Sequence, residues 1–275
     1  MKSLLVSLLC LGTALASSHN LARYKRIANG LNAPNGEYPF IASYQHVRNG
    51  HFCACVILNN VWLLTAAHCV IFAKQYPLKD LQVVAGVTNL YSSSDTKQIR
   101  KVVRHYNHTR FRGGIDPYDI GLIRVEYPFN RSTTLNSIRL PRPGQEFYGV
   151  VEIIGWGYRR STYPAITADL QMAQTSIINT YSCNAIVNRY GARVDSTQIC
   201  VVGYRLKNET TCEGDSGGPL IAYLQDVPYC IGIMSWDLSP CGRLGIPSVA
   251  TKVSRFIRWI SCRIFYDRIN PKAVC

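Results

Sequence analysis

The sequence has few acidic residues and few charges of either sign. Only 17% of its 275 residues are charged, and 16 Asp and Glu stand against 30 Lys and Arg, which gives a formal net charge of +14. With 47% hydrophobic residues, this composition excludes a disordered chain, a collagen-like chain and a low-complexity tail. No basic run of five residues occurs, so we interpret the excess charge as scattered, solvated surface and expect no nucleic-acid partner.

Long apolar runs are missing after the first sixteen residues. Lys2 precedes a mostly apolar stretch from Leu4 to Leu15, which ends in the small-x-small sequence Ala14-Leu15-Ala16. This order is typical of a secretory signal peptide, which we assign to residues 1–16. No later stretch of 18 apolar residues exists, so we expect a soluble mature protein with no membrane span. The signal peptide predicts that it is secreted and extracellular, and we expect a monomer.

Secretion decides how the cysteines are interpreted. The chain has 11, and Cys10 leaves with the signal peptide. The even number that remains, in an oxidising compartment, predicts up to five disulfides. A zinc site at Cys53, Cys55, His68 and Cys69 is the alternative, but these spacings are not usual for zinc and we expect no metal. Three sequons are glycosylation candidates in the same compartment: Asn107, Asn130 and Asn208.

Short runs rich in Val, Ile, Leu and Tyr recur along the chain, bounded by Gly, Pro, Asn and Ser. The clearest are Cys55–Leu64, Leu81–Val87, Ile120–Val125, Gly149–Gly155, Asp169–Ile178, Pro219–Leu224 and Ile231–Trp236. Their length, their β-branched residues and their spacing predict the strands of an all-β sandwich or barrel.

One late segment has a helical pattern instead. Val253, Phe256 and Ile260 recur at helical spacing together with Ile257, and Ser254 is a candidate cap. The pattern predicts an amphipathic C-terminal helix. Its basic residues are expected near the polar side, where a solvated face is the ordinary interpretation, although a basic helix can also bind a membrane or a glycan: Arg255, Arg258 and Arg263.

Three further segments carry residues suited to nucleophilic catalysis. They are Leu64-Thr-Ala-Ala-His68-Cys69, Asp119-Ile-Gly-Leu-Ile-Arg-Val125 and Cys212-Glu-Gly-Asp-Ser216-Gly-Gly-Pro-Leu220. The histidine follows an apolar strand, so we expect it to be held rigidly at a strand end. A serine hydroxyl becomes a nucleophile when a neighbouring base takes its proton, and that base needs a buried carboxylate to fix its tautomer.

Together these segments resemble the trypsin-like, chymotrypsin-fold serine endopeptidases, and matches extend from Ile27 to about Ile260. The resemblance implies an all-β fold of two antiparallel barrels, about 27–140 and about 141–275, with the active site between them and a C-terminal α-helix. It implies protein or peptide substrates and no cofactor. A non-catalytic or weakly active binding protein of the same fold is the alternative function, which the retained site residues disfavour.

The same resemblance implies a role for each site residue. Ser216 attacks the scissile carbonyl, His68 acts as general base and then general acid, and Asp119 orients His68. The backbone N–H groups of Gly214 and Ser216 form the oxyanion hole, where such donors stabilise the charge that develops.

A second signature is Arg26-Ile27-Ala28-Asn29-Gly30, which resembles the activation site of the family although Val-Gly usually follows the Ile. Cleavage after Arg26 by an activating protease would free an Ile27 ammonium group. That group would pair with Asp215 and order the pocket and the oxyanion hole. Residues 17–26 are then expected to be an activation peptide, and the protein an inactive zymogen.

The resemblance also implies three disulfides: Cys53–Cys69, Cys183–Cys200 and Cys212–Cys241. The four other cysteines match no common position and allow three connectivities. Among these we expect a local Cys262–Cys275 bond, with Cys55–Cys230 linking the barrels, although spacing alone decides neither. Some family members bind calcium after the residue that corresponds to Gly86, but Val87–Asp95 offers one carboxylate here, so we expect no calcium site.

The specificity pocket departs most from the trypsin pattern. Thr210, six residues before the serine, corresponds to the Asp at the pocket base of trypsins. The pocket-wall positions, usually Gly, correspond to Asp237 and Ser248, and Ser235-Trp236-Asp237 resembles the segment that pairs with substrate backbone. A neutral base and bulkier walls predict an elastase- or chymotrypsin-like preference for small or medium uncharged side chains. Asp237 leaves a preference for basic side chains open.

Overall fold

Two closed, six-stranded antiparallel β-barrels make up the fold. The structure is a computed structural model that describes residues 27, 30–158, 166–206 and 210–275. After β1 (Leu31–Asn32), the first barrel contains β2 (Ile41–His46), β3 (Gly50–Ile57), β4 (Trp62–Thr65), β5 (Leu81–Ala85), β6 (Gln98–Asn107) and β7 (Gly121–Val125), in the order β2-β3-β4-β7-β6-β5. The second contains β8 (Val150–Gly155), β9 (Gln171–Ile178), β10 (Gln198–Gly203), β11 (Pro219–Leu224), β12 (Val227–Asp237) and β13 (Ser248–Lys252).

Three short α-helices accompany the barrels in the described part of the chain: α1 (Ala67–Ala73), α2 (Thr180–Val187) and α3 (Ile257–Tyr266). The expected two-barrel fold with a C-terminal helix is therefore confirmed, whereas α1 and α2 were not predicted. Searched over these same residues, the fold offers no helix with the length and apolar character needed to cross a membrane.

The predicted run Cys55–Leu64 is two strands and not one. β3 ends at Ile57 and β4 begins at Trp62, and a tight hairpin joins them. The side chain of Asn59 accepts hydrogen bonds from the N–H groups of Val61 and Trp62, both at 3.0 Å. An Asn side chain that bonds to its own backbone two residues on is a strong turn former, and it interrupts the run.

Each end of the described chain packs on the opposite barrel. β1 pairs with β9, and Ile27 is buried among second-barrel residues such as Val151 and Ile153. These first residues, which the expected boundary assigns to barrel one, therefore contact the second barrel. In the other direction, Phe256 and Trp259 belong to the apolar cluster that fills the first barrel.

The C-terminal helix begins later than its predicted cap. Val253–Arg255 form a single 3₁₀ turn, and α3 starts after Phe256 with no side-chain cap. Ser254 is buried, and its hydroxyl has no hydrogen-bond partner among the described residues. Arg263, expected on the polar side, is buried, because its guanidinium donates to backbone carbonyls of the C-terminal tail.

The structure forms four disulfides: Cys53–Cys69, Cys183–Cys200, Cys212–Cys241 and Cys262–Cys275. The expected Cys55–Cys230 bond is wrong, because both residues are buried free thiols. The Cys55 thiol donates to the carbonyl of Ala42 on β2, whereas that of Cys230 donates to the carbonyl of Gly232 on its own strand. Each thiol is therefore satisfied beside its own barrel wall.

A buried carboxylate ties the segment after α3 to the first barrel. Asp267 is 1% exposed and accepts hydrogen bonds from Arg104 at 3.1 Å and from the Tyr106 hydroxyl at 2.7 Å, and Arg124 lies 3.4 Å from its other oxygen. Two cations and a phenol thus offset the cost of burying this charge.

We expect Asp267→Asn to lower the free energy of unfolding by about 1–3 kcal/mol, because it removes a charge-assisted acceptor without changing the side-chain shape. Urea denaturation in a Ser216→Ala background, which removes the expected nucleophile, measures the loss. Asp226→Asn, at an exposed position in the turn between β11 and β12, is the matched control. Equal stability of the two variants would contradict this prediction.

Candidate active site

His68 lies in the first turn of α1, directly after β4, and not at the strand end itself. Its backbone N–H donates to Asp119 Oδ1 at 2.8 Å, and its Nδ1 lies 2.7 Å from Asp119 Oδ2. The neighbouring Cys53–Cys69 disulfide ties α1 to β3. A carboxylate that accepts from Nδ1 fixes the proton there, so Nε2 is the basic nitrogen of the neutral ring.

Asp119 is 1% exposed and lies just before β7. Besides the two bonds to His68, its Oδ2 accepts a hydrogen bond of 2.6 Å from the Ser235 hydroxyl. Its backbone carbonyl accepts one of 2.7 Å from Thr251 Oγ1. Ser235 lies on β12 and Thr251 on β13, so side chains of the second barrel hold a carboxylate of the first barrel in position.

The turn that carries Ser216 packs against the first barrel immediately ahead of His68. The carbonyl of Ser216 accepts a 2.8 Å hydrogen bond from the N–H of Ala54 on β3. Gly217 has φ +79°, and a Cβ there would collide with the Thr65 hydroxyl and the Ala54 carbonyl. Only glycine allows this approach. The structure therefore places the serine turn beside the start of the helix that holds His68.

Gly214 has a fixed peptide orientation. The carbonyl of Glu213 accepts a 2.7 Å bond from the N–H of Tyr158, and the carbonyl of Gly214 accepts a 2.9 Å bond from His51 Nε2. C=O and N–H point to opposite sides of a trans peptide, so the Gly214 N–H is directed away from Tyr158. Gly214 adopts φ +94°, which favours glycine.

The peptide before Ser216 is oriented in the same manner. The carbonyl of Asp215 accepts a 3.0 Å bond from the N–H of Gly218, which directs the Ser216 N–H to the other side. Neither this N–H nor that of Gly214 donates to another residue within the described ranges. Two free donors flanking a turn are the arrangement that an oxyanion site requires.

The Asp215 side chain occupies a slot walled by glycines. A Cβ on either Gly155 or Gly157 would collide with its carboxylate. Its oxygens accept hydrogen bonds from the N–H groups of Gly157 at 2.8 Å and of Cys212 at 3.0 Å. Burial outweighs these two bonds and raises the pKa of Asp215 to about 7. The carboxylate makes no ion pair with a cationic side chain of residues 30–158, 166–206 or 210–275.

Ile27 and Asp215, which the sequence predicts to pair after cleavage, are both fully buried. The nitrogen of Ile27 belongs to an intact peptide bond, so it carries no charge. Its side chain lies in the second-barrel core, with Val151 and Ile153, and its carbonyl accepts a 2.6 Å bond from Gly30. Arg26 lies outside the described residues, as do the expected signal and activation peptides.

A cavity of about 300 Å³ opens beside Ser216. Its lining includes Ser235, Trp236 and Asp237, three of the residues that the sequence analysis assigns to substrate binding. Thr210 does not line it, which corrects the expected pocket base. Thr210 instead borders a second, inner space with no room for a water molecule, and its hydroxyl accepts a 2.7 Å bond from Gly242.

Asp237 separates the two spaces, because it lines both. Its carboxylate accepts a 2.6 Å bond from Thr211 Oγ1 and a second bond from the Ser248 hydroxyl. Burial raises the pKa of Asp237, while these two bonds act in the opposite direction. Held in this way, Asp237 forms a polar floor between the outer cavity and the space that Thr210 borders.

Three contributors to the site were not predicted from the sequence. Thr211 and Thr251 act through single side-chain bonds, and only the position of Thr211 next to Thr210 hinted at a role. His51 is isolated in the sequence, yet its ring joins the Ser43 hydroxyl, at 2.7 Å, to the carbonyl of Gly214. Burial lowers the pKa of His51 to about 4, so the ring is neutral.

The metal and glycan candidates can also be placed. Ligand atoms of Cys53, His68 and Cys69 lie within 4.8 Å of one another, but both sulfurs belong to a disulfide and are not thiolates. Asn107 ends β6 and accepts a 2.6 Å bond from Lys74, and Asn130 is exposed. Asn208 lies outside the described residues.

A two-barrel fold with a histidine–aspartate pair beside a glycine-rich serine turn defines a serine protease of the chymotrypsin fold. The chain belongs to the trypsin family, whose model, described as Trypsin, matches residues 27–260. It is a serine endopeptidase.

Several known proteins are similar to this chain in sequence. Lectizyme of Glossina austeni is 36% identical over 247 residues, which cover 86% of this chain and 85% of that protein. The human hepatocyte growth factor activator serine protease is 30% identical over 254 residues, 90% of this chain. Bovine coagulation factor XI is 31% identical over 240 residues, 86% of this chain. The matched region spans 37% of each of these two larger relatives.

The pKa of Asp215 predicts how stability depends on pH in the uncleaved protein. Because its pKa of about 7 lies above the ordinary 3.8, the folded state binds the proton more tightly than the unfolded state does. The contribution of Asp215 protonation to the free energy of unfolding is therefore complete below about pH 4. This contribution, which is up to about 4 kcal/mol, is lost as the pH rises through 7. In urea unfolding from pH 4 to 8, Asp215→Asn should remove this component. Parallel pH profiles for the two proteins would contradict the prediction.

Proposed function

We propose that this chain is a secreted serine endopeptidase, made as a zymogen, that hydrolyses protein substrates after small or medium uncharged side chains. The observation that carries the catalytic part is the arrangement of His68 against a buried Asp119, beside a serine turn in which the N–H groups of Gly214 and Ser216 donate to no other described residue. Residues 1–16 would direct secretion and 17–26 would be the activation peptide. The protease domain is then 27–275, acting as a monomer.

In this proposal Ser216 attacks the scissile carbonyl while His68 Nε2 takes its proton. Asp119 keeps the proton of His68 on Nδ1 and stabilises the imidazolium that forms. His68 then returns the proton to the leaving amine, and water repeats the sequence on the acyl-enzyme. The N–H groups of Gly214 and Ser216 receive the developing oxyanion, each contributing roughly 3 kcal/mol to lowering the barrier.

Activation would supply the missing charge at Asp215. Cleavage of the bond between Arg26 and Ile27 creates an ammonium group, and Asp215 is a fully buried carboxylate of the second barrel that pairs with no cationic side chain of the described residues. A buried ion pair with two backbone hydrogen bonds is far better satisfied than an isolated carboxylate. The pair would hold the turn that carries Gly214 in its working orientation.

The Asp237 floor supports the preference for small uncharged side chains. A long Arg or Lys side chain would meet the Asp237 floor, held by Thr211 and Ser248, before it reached full depth. Such a pocket could not cut after Arg26, so a separate activating protease is needed. The carboxylate of Asp237 also supports a second candidate specificity. In this case a basic side chain of the substrate would enter the outer cavity and pair with Asp237.

Labelling by a fluorophosphonate tests the catalytic proposal. Protein cut at Arg26–Ile27 should label, uncut protein should label at least about tenfold more slowly, and Ser216→Ala should not label, because the reagent needs an activated serine and a formed oxyanion site. N-terminal sequencing verifies the cut. Absence of labelling after a verified cut would refute the enzymatic reading of this site.

Cleavage of a peptide library randomised at the cleaved position tests the specificity. The wild-type enzyme should favour Ala, Val and similar residues, whereas Asp237→Gly should open the inner space and shift the preference toward large apolar side chains by about tenfold or more. Thr210→Ser, behind the floor, is the matched control and should change little. A preference for Arg or Lys that Asp237→Gly abolishes would establish the second candidate instead.

A further inference from the structure

The segment that follows α3 is firmly attached to the protein. Arg263 donates to the carbonyls of Pro271 at 3.1 Å and Ala273 at 2.7 Å, and the Cys262–Cys275 disulfide closes the loop onto the helix. The ion pairs of Asp267 fasten its base to the first barrel. Side chains on this loop are therefore presented in fixed positions.

Three large apolar side chains of this segment face solvent. Phe265 is 62% exposed, Ile269 is 67% exposed and Val274 is 87% exposed. One face of α3 and its following turn carries Arg258, Phe265 and Ile269, because Phe265 lies seven residues after Arg258 and four before Ile269. A pinned apolar surface of this kind is typical of an interaction site, because a free tail could fold its apolar groups away.

The charge around these side chains has one sign. Arg258, Arg268 and Lys272 are exposed. The only acidic residue after position 257 is Asp267, which is buried and paired with arginines of the first barrel. The exposed charged side chains of this segment are thus all cationic, and apolar side chains lie among them.

We propose that this C-terminal face (Arg258, Phe265, Arg268, Ile269, Lys272 and Val274) binds an anionic phospholipid surface. Basic side chains meet lipid phosphates and carboxylates, while exposed apolar side chains enter the boundary between headgroups and acyl chains. A second copy of the chain would bring like charges together. An acidic glycan would attract the cations but offers no apolar layer for Phe265 and Ile269. The binding does not depend on the proposed catalytic activity.

Co-sedimentation with vesicles tests this surface, using the full chain with Ser216→Ala. Binding is expected to vesicles of phosphatidylcholine that contain about 30% phosphatidylserine, and not to phosphatidylcholine alone. Arg268→Gln with Lys272→Gln should weaken binding about 25-fold, since each charge is worth about fivefold. Phe265→Ser with Ile269→Ser should weaken it at least about tenfold.

The matched control is Tyr181→Ser with Arg189→Gln, an exposed aromatic and an exposed cation on and just after α2 of the second barrel. It should leave vesicle binding unchanged. Thermal unfolding of each variant checks that folding is intact. Absence of binding to anionic vesicles overturns the proposal. So does binding that follows the charge variants alone, with heparin competing and Phe265→Ser with Ile269→Ser binding normally, because that pattern identifies a polyanion site.

Discussion

The buried carboxylate of Asp215 is the constraint on which the arrangement of the site depends. It fits only because Gly155 and Gly157 have no side chains, and two backbone N–H groups hold its oxygens. This fixes the turn that carries Gly214 and Ser216, whose N–H groups donate to no other described residue. Two bonds satisfy a buried carboxylate only in part, so its charge state is coupled to the structure of this turn.

The site also requires both barrels at once. The first barrel supplies His68 and Asp119, and the second supplies Ser216. Hydrogen bonds between the two barrels hold these residues in place. Ser235 and Thr251 reach across to Asp119, and the serine turn bonds back to β3. The two ends of the described chain add further contacts between the barrels. β1 pairs with a strand of the second barrel, and α3 packs against the first barrel.

Much of this could be predicted from the sequence where the signal is local. The strands around Asp119 and Ser216, the C-terminal helix and four of the five expected disulfides follow from short patterns or from the family resemblance. The Cys55–Cys230 bond could not be judged, because connectivity depends on distances in the folded chain. Thr210 was placed at an accessible pocket base because spacing along the chain does not reveal that Asp237, held by Thr211, stands in front of it. His51 likewise acts through a contact with a distant part of the sequence.

The most direct test of the role of Asp215 is the affinity of a peptide boronic acid, whose tetrahedral adduct with a serine occupies the oxyanion position. The comparison is between the protein cut at Arg26–Ile27 and its Asp215→Asn variant, each with the cut verified. If the carboxylate orders the turn, the variant should bind the boronic acid about a hundredfold or more weakly, as expected when an oxyanion donor is lost. Equal affinity in the two proteins would contradict the account.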